Sequence, residues 1–93
     1  MDKVKFSGAV DTFYFVPNCD AKVAVLYLNV TSKQLFPSGT EEVIIPAERK
    51  RFLLQERELG VLAKGKTVVA GDKLEIYEIK DPLGKISYSV KLV

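Results

Sequence analysis

A chain of 93 residues with 47% apolar and 10% aromatic content is expected to form one domain, residues 1–93, with a single core and little disorder. Its net charge of +2 is too weak to imply nucleic-acid binding, which needs several phosphate contacts on one face. With no histidine and one cysteine, an internal disulfide is excluded, and neither a thiol–imidazole nucleophile nor a transition-metal site is expected.

The opening Met1-Asp2-Lys3-Val4-Lys5 lacks the apolar run of a signal peptide. No stretch approaches the roughly 18 consecutive apolar residues of a membrane span, so a cytoplasmic chain with no membrane partner is expected. Ser7-Gly8 reads as the first turn. The aromatic strand Val10–Val16 follows, and its consecutive Phe13, Tyr14 and Phe15 cannot all face one core. Phe13 and Phe15 are therefore candidates for partner contacts. Cys19, within Val16-Pro17-Asn18-Cys19-Asp20, reads as a turn residue rather than a reactive thiol. Val23–Val30 is apolar on both faces, as in a central strand covered on one side by a loop or a neighbouring subunit. Asn29-Val30-Thr31 matches a glycosylation acceptor, but it closes a buried-looking strand and reads as structural.

The stretch Ala47–Lys64 has two readings. As a helix it has Pro46 near its first turn, Phe52, Leu59 and Leu62 on one stripe, and Gly65 as a stop. Gly60 would cost that helix about 1 kcal/mol relative to alanine. As a strand, Lys50, Phe52 and Leu54 alternate with Arg49, Arg51 and Leu53, and Pro46 sits at an end or edge. Local propensity leaves the two near even.

The last third is clearer. Ala70-Gly71-Asp72-Lys73 reads as a tight reversal, with glycine free to take positive φ and aspartate bonding a downstream amide. Leu74–Ile79 and Ile86–Leu92 alternate in character, and Asp81-Pro82-Leu83-Gly84 would join them as an antiparallel hairpin. Ile86, Tyr88, Val90 and Leu92 should point inward, with Ser87, Ser89 and Lys91 outward. Turn signals at a spacing of about 8–12 residues predict an all-β fold, an immunoglobulin-like or jelly-roll β-sandwich of about seven or eight antiparallel strands.

The ordered set Val16-Pro17, Leu28-Asn29-Val30-Thr31-Ser32, Ile44-Ile45-Pro46-Ala47 with Phe52-Leu53-Leu54, Val69-Ala70-Gly71-Asp72-Lys73-Leu74-Glu75-Ile76 and Tyr88-Ser89-Val90 resembles small phage virion structural proteins of the tail, neck and head-decoration type. The resemblance spans about residues 13–92 and departs at the charged run Glu48–Arg51. It favours the strand reading after Pro46. It implies a non-enzymatic β-sandwich in the virion, without a cofactor, that contacts copies of itself and other virion proteins.

Other constellations are weaker. Glu41, Glu42, Glu48, Glu56 and Glu58 could in principle pair across a cleft for glycoside hydrolysis, but read as solvated charges. Neither GxGxxG nor a Walker-type loop occurs among Gly60, Gly65 and Gly71. Arg49, Lys50 and Arg51, with Arg57 beyond, are the one concentrated positive cluster; they suit a charged edge strand or contact with an acidic partner or phosphates. Eight aromatics from Phe13 to Tyr88 interleave with lysines, and five strands with a helix over Ala47–Leu59 would suit an OB-type single-stranded nucleic-acid binder, the alternative function. A small inhibitor domain of immunoglobulin-like type is a third possibility, resting on fold analogy.

Overall fold

The computed structural model describes residues 2–17, 22–36, 41–60 and 68–93. The fold is all-β: β1 (Asp2–Phe15), β2 (Val23–Phe36), β3 (Val43–Gln55), a single helical turn α1 (Glu56–Leu59), β4 (Lys73–Lys80) and β5 (Ile86–Leu92). All neighbouring strands pair antiparallel in one sheet of order β3-β2-β1-β4-β5. The described residues thus carry five strands in one sheet, not the seven or eight of an expected sandwich or jelly roll.

The difference has a local cause. Ser7-Gly8 and Pro46, expected as turn and strand end, lie inside β1 and β3. Register shifts fall between Ser7 and Gly8 and, opposite Pro46, between Val30 and Ser32. Glycine and proline here mark bulges, which bend a strand and let it continue. Strands of 13 and 14 residues result, where shorter ones were expected.

β1 organises the sheet. From Lys3 to Phe15 it pairs with β2, apart from the bulged Asp11, while Asp2–Ala9 also pairs with β4. The outer strands β3 and β5 are not hydrogen-bonded neighbours, yet Phe52 on β3 and Tyr88 on β5 have ring centroids 5.6 Å apart at 83°. The sheet therefore curls until its two edges face each other across the core. Inside lie Val10, Ala24, Leu26, Leu28, Val30, Phe52, Leu54, Leu59, Leu74, Ile76 and Val90.

The expected central position of Val23–Val30 holds, since β2 lies between β1 and β3 with Leu26 and Leu28 fully buried. The β4–β5 hairpin also forms, in the register Lys80↔Ile86 to Leu74↔Leu92. Asp81 Oδ1 accepts from the amides of Leu83 and Lys85 at 2.9 and 2.8 Å, and Gly84 takes φ 86°. Tyr88, Val90 and Leu92 join the core as expected, but Ile86, at the strand's start, is 48% exposed. At the preceding turn Gly71 has φ 98°, and Asp72 Oδ2 accepts from the upstream Val69 amide rather than a downstream one.

Both readings of Ala47–Lys64 capture a part. Residues to Gln55 are strand, and Glu56–Leu59 make one turn that buries Leu59. Glu58 latches this turn across the gap between the edges. Its Oε1 accepts from the Gln55 amide at 2.9 Å and its Oε2 from the Tyr88 amide at 2.6 Å. Glu58→Ala would strand both amides, so a loss of about 1–3 kcal/mol in urea unfolding is expected. The turns expected around Cys19 and at Pro37-Ser38-Gly39, together with Leu62 and Gly65, lie outside the described residues.

Candidate functional site

Alternation along a strand sends successive side chains to opposite faces, so register decides which residues meet. On the outward face of β1, β2 and β3, cross-strand pairing builds three rungs. Tyr14, Val25 and Leu53 form the first, and Thr12, Tyr27 and Arg51 the second. Ala9, Asn29 and Arg49 form the third, with Asp11 in the adjoining β1 irregularity. Tyr14 is 46% and Leu53 57% exposed, a substantial apolar area for a solvent-facing sheet.

Arg49 is held in place twice. Its Nε donates to Asp11 Oδ2 at 2.8 Å, and its guanidinium carbon lies 3.9 Å from the Tyr27 ring centre. That distance is a close cation–π stack. The hydrogen bond from Arg49, and then its charge, hold the Asp11 carboxyl below the ordinary aspartate range. The pair's stabilising contribution is thus complete above that ordinary range and lost as pH falls through the lowered value. Both side chains face solvent, so the contribution is small. The arrangement gives a flat guanidinium lying on a phenol ring, with Arg51 beside it on the same strand face. Lys22, Arg57 and Glu56 line a hollow at the first-rung end, next to Val23 and Gln55.

The five residues singled out from sequence divide between two faces. Arg49 and Arg51 share the outward platform. Lys50 turns inward at the seam, with its Nζ 5.1 Å from the Phe6 ring and 5.7 Å from Phe52. Phe13 packs against the core, while Phe15, 45% exposed, meets it edge-on at 5.4 Å at the strand's end. The expectation that β3 is a charged edge strand agrees with its terminal place in the sheet.

Tyr27 is among the eight aromatics of the OB-type alternative but is not set apart from the rest by sequence reasoning, and Asp11 is not singled out at all. The signal for Tyr27 is present in Val23–Val30: its odd-numbered positions include Tyr27 and Asn29, its even ones only Ala24, Leu26, Leu28 and Val30. The polar set marks the solvent face. Asp11 has no local signal, since only the β1 irregularity turns it toward Arg49.

The carboxylates do not gather into a reacting pair. Glu58 is bound to the two amides above, Glu42 accepts from the Ser32 hydroxyl at 2.6 Å, and Glu41, Glu48 and Glu56 are exposed. Among the described residues no group of three metal-ligating side chains forms, and no helix is long and apolar enough to cross a membrane. Asn29 lies mid-sheet between Ala9 and Arg49. Compared with protein-family models, curated proteins and solved structures, the chain matches none.

Proposed function

We propose that the chain is a non-enzymatic binder of single-stranded nucleic acid, using the outward face of β1, β2 and β3. The observation that carries this reading is the Tyr27–Arg49 stack with Arg51 alongside, on the exposed face of a five-stranded curled sheet. A base can stack on the outer side of the guanidinium or on exposed Tyr14, while Arg51 takes a phosphate. The strand order supports the same reading. A long first strand shared between β2 and β4, β3 next to β2, and a helical turn between β3 and β4 are features of the OB-type barrel, which presents its β2–β3 face to oligonucleotides.

Fluorescence anisotropy with a labelled oligothymidylate at low salt tests this. Saturable binding is expected, weakened about 5- to 150-fold by Tyr14→Ala, since one base–aromatic stack contributes about 1–3 kcal/mol. No binding by the unaltered protein would overturn the proposal.

A second reading keeps the virion assembly role suggested by the family resemblance. It is favoured by an apolar strip at the β2–β3 end, where Leu35, Val43 and Ile44 are 51%, 55% and 77% exposed. In that role the strip would meet a second copy or another virion protein. Light scattering across a concentration series discriminates: a stable oligomer supports assembly, and a monomer of 10.4 kDa at high concentration opposes it.

A further inference from the structure

A second aromatic–cation cluster lies on the outward face at the other end of β1. Lys3 Nζ is 4.5 Å from the Tyr77 ring centre and 5.7 Å from that of Phe36, and Lys91 Nζ is 5.2 Å from Tyr77. Neither ammonium makes an ion pair with a described residue, whereas neighbouring Lys5 is engaged by Glu75 at 3.6 Å. Glu75, which also accepts from the Tyr77 hydroxyl at 3.4 Å and stands opposite Lys91, is one carboxylate among Lys3, Lys5 and Lys91, so the locus around this half-buried ring keeps a net positive charge that core packing does not require.

The two loci are connected. β1 and β2 run side by side from Phe15 and Ala24 to Lys3 and Phe36, so one face is continuous between them. Tyr27 and Phe36 are nine positions apart on β2, or about 30 Å at the usual strand rise. Midway is a groove of about 380 Å³ whose lining includes Lys5, Ser7, Thr31 and Lys73, together with the carboxylates of Glu42 and Glu75. Both carboxylates are already engaged, by the Ser32 hydroxyl and by Lys5 respectively. The Ser32 hydroxyl leaves the Glu42 charge in place, so the groove's two lysines and two carboxylates balance, and the groove meets a sugar–phosphate backbone through the Ser7 and Thr31 hydroxyls and Lys73 rather than through net charge.

We propose that a single strand bound at Tyr27 continues along the β1–β2 face and over this groove. A second contact then forms at Tyr77, where Lys3 and Lys91 bind backbone phosphates. This rests on the nucleic-acid reading of the first locus, and charge complementarity at Lys3 and Lys91 selects the phosphate backbone as occupant.

The test compares labelled oligothymidylates of about 6 and about 20 nucleotides, within and beyond the footprints usual for one such barrel. The unaltered chain and a Lys3→Gln/Lys91→Gln variant are titrated at several salt concentrations. For the long oligonucleotide, the variant should bind at least about tenfold more weakly at low salt. Its slope of log affinity against log salt should be shallower by about 1.4, which is about 0.7 for each of two phosphates no longer neutralised. The short oligonucleotide should bind both proteins alike. An unchanged slope with the long strand, or equal weakening with both lengths, overturns the second contact and leaves the first locus standing. Failure of the unaltered protein to bind either length overturns both.

Discussion

Gly8→Ala is expected to destabilise the domain by about 3 kcal/mol or more, a large share of the stability of a domain this size. A Cβ at Gly8 would sit 2.0 Å from the Asn29 carbonyl oxygen, 2.8 Å from its carbon and 2.9 Å from Val30 Cα. All three are backbone atoms of the paired strand, so no side chain can swing aside. Relief requires β1 and β2 to separate at the register shift beside Ser7, where β1 is also bonded to β4. The strain thus falls on the strand that ties the two halves of the sheet together. Thermal unfolding followed by circular dichroism should show a midpoint lowered by more than about 12 °C. A shift under about 4 °C would mean that β1 and β2 do not approach this closely at Gly8.

The second large effect is on binding. Arg49→Glu with Arg51→Glu reverses both cations of the outward platform, sets a new carboxylate beside Asp11, and removes the guanidinium stacked on Tyr27. Affinity for a single-stranded oligonucleotide at low salt should fall about 100-fold or more, because attraction to phosphates becomes repulsion. Folding should survive. Both arginines are exposed, and a surface ion pair such as Arg49–Asp11 contributes little to stability. The unfolding midpoint should stay within a few degrees while binding disappears. Unfolding of the variant instead would show that β3 is not a tolerant edge strand.

The contrast between these substitutions follows from what the sequence could and could not convey. The β4–β5 hairpin was legible, because Asp81 and Gly84 punctuate two alternating segments and nothing nonlocal is needed to pair them. The central place of β2 was legible from its unbroken apolar run Val23–Leu28, although Tyr27 and Asn29 put one face of that strand toward solvent. Gly8 and Pro46 misled because glycine and proline mark turns and bulges with the same residues. Only the partner strand decides which forms, and the count of strands follows from that decision.

The candidate site was legible as a charge and not as a surface. Arg49-Lys50-Arg51 stands out in the chain, yet strand alternation sends Lys50 to the inner seam and leaves its neighbours outside. Tyr27 joins Arg49 only through a register in which Asn29 faces Arg49 and Tyr27 faces Arg51. That register runs unbroken from Val23↔Gln55 to Val30↔Glu48 and is set by pairing with a strand distant in sequence. The Phe13–Phe15 run behaved as alternation requires: Phe13 goes to the core and Tyr14 to the platform.

The most direct test of the central claim is ultraviolet cross-linking of the full chain to an oligothymidylate, with the adducts located by mass spectrometry. Attachment at Tyr27 or Tyr14, suppressed in the Arg49→Glu/Arg51→Glu variant, is the expected result. Attachment confined to residues off the outward face of β1–β3 and away from Tyr77, or no adduct under conditions that cross-link a known single-strand binder, would contradict it.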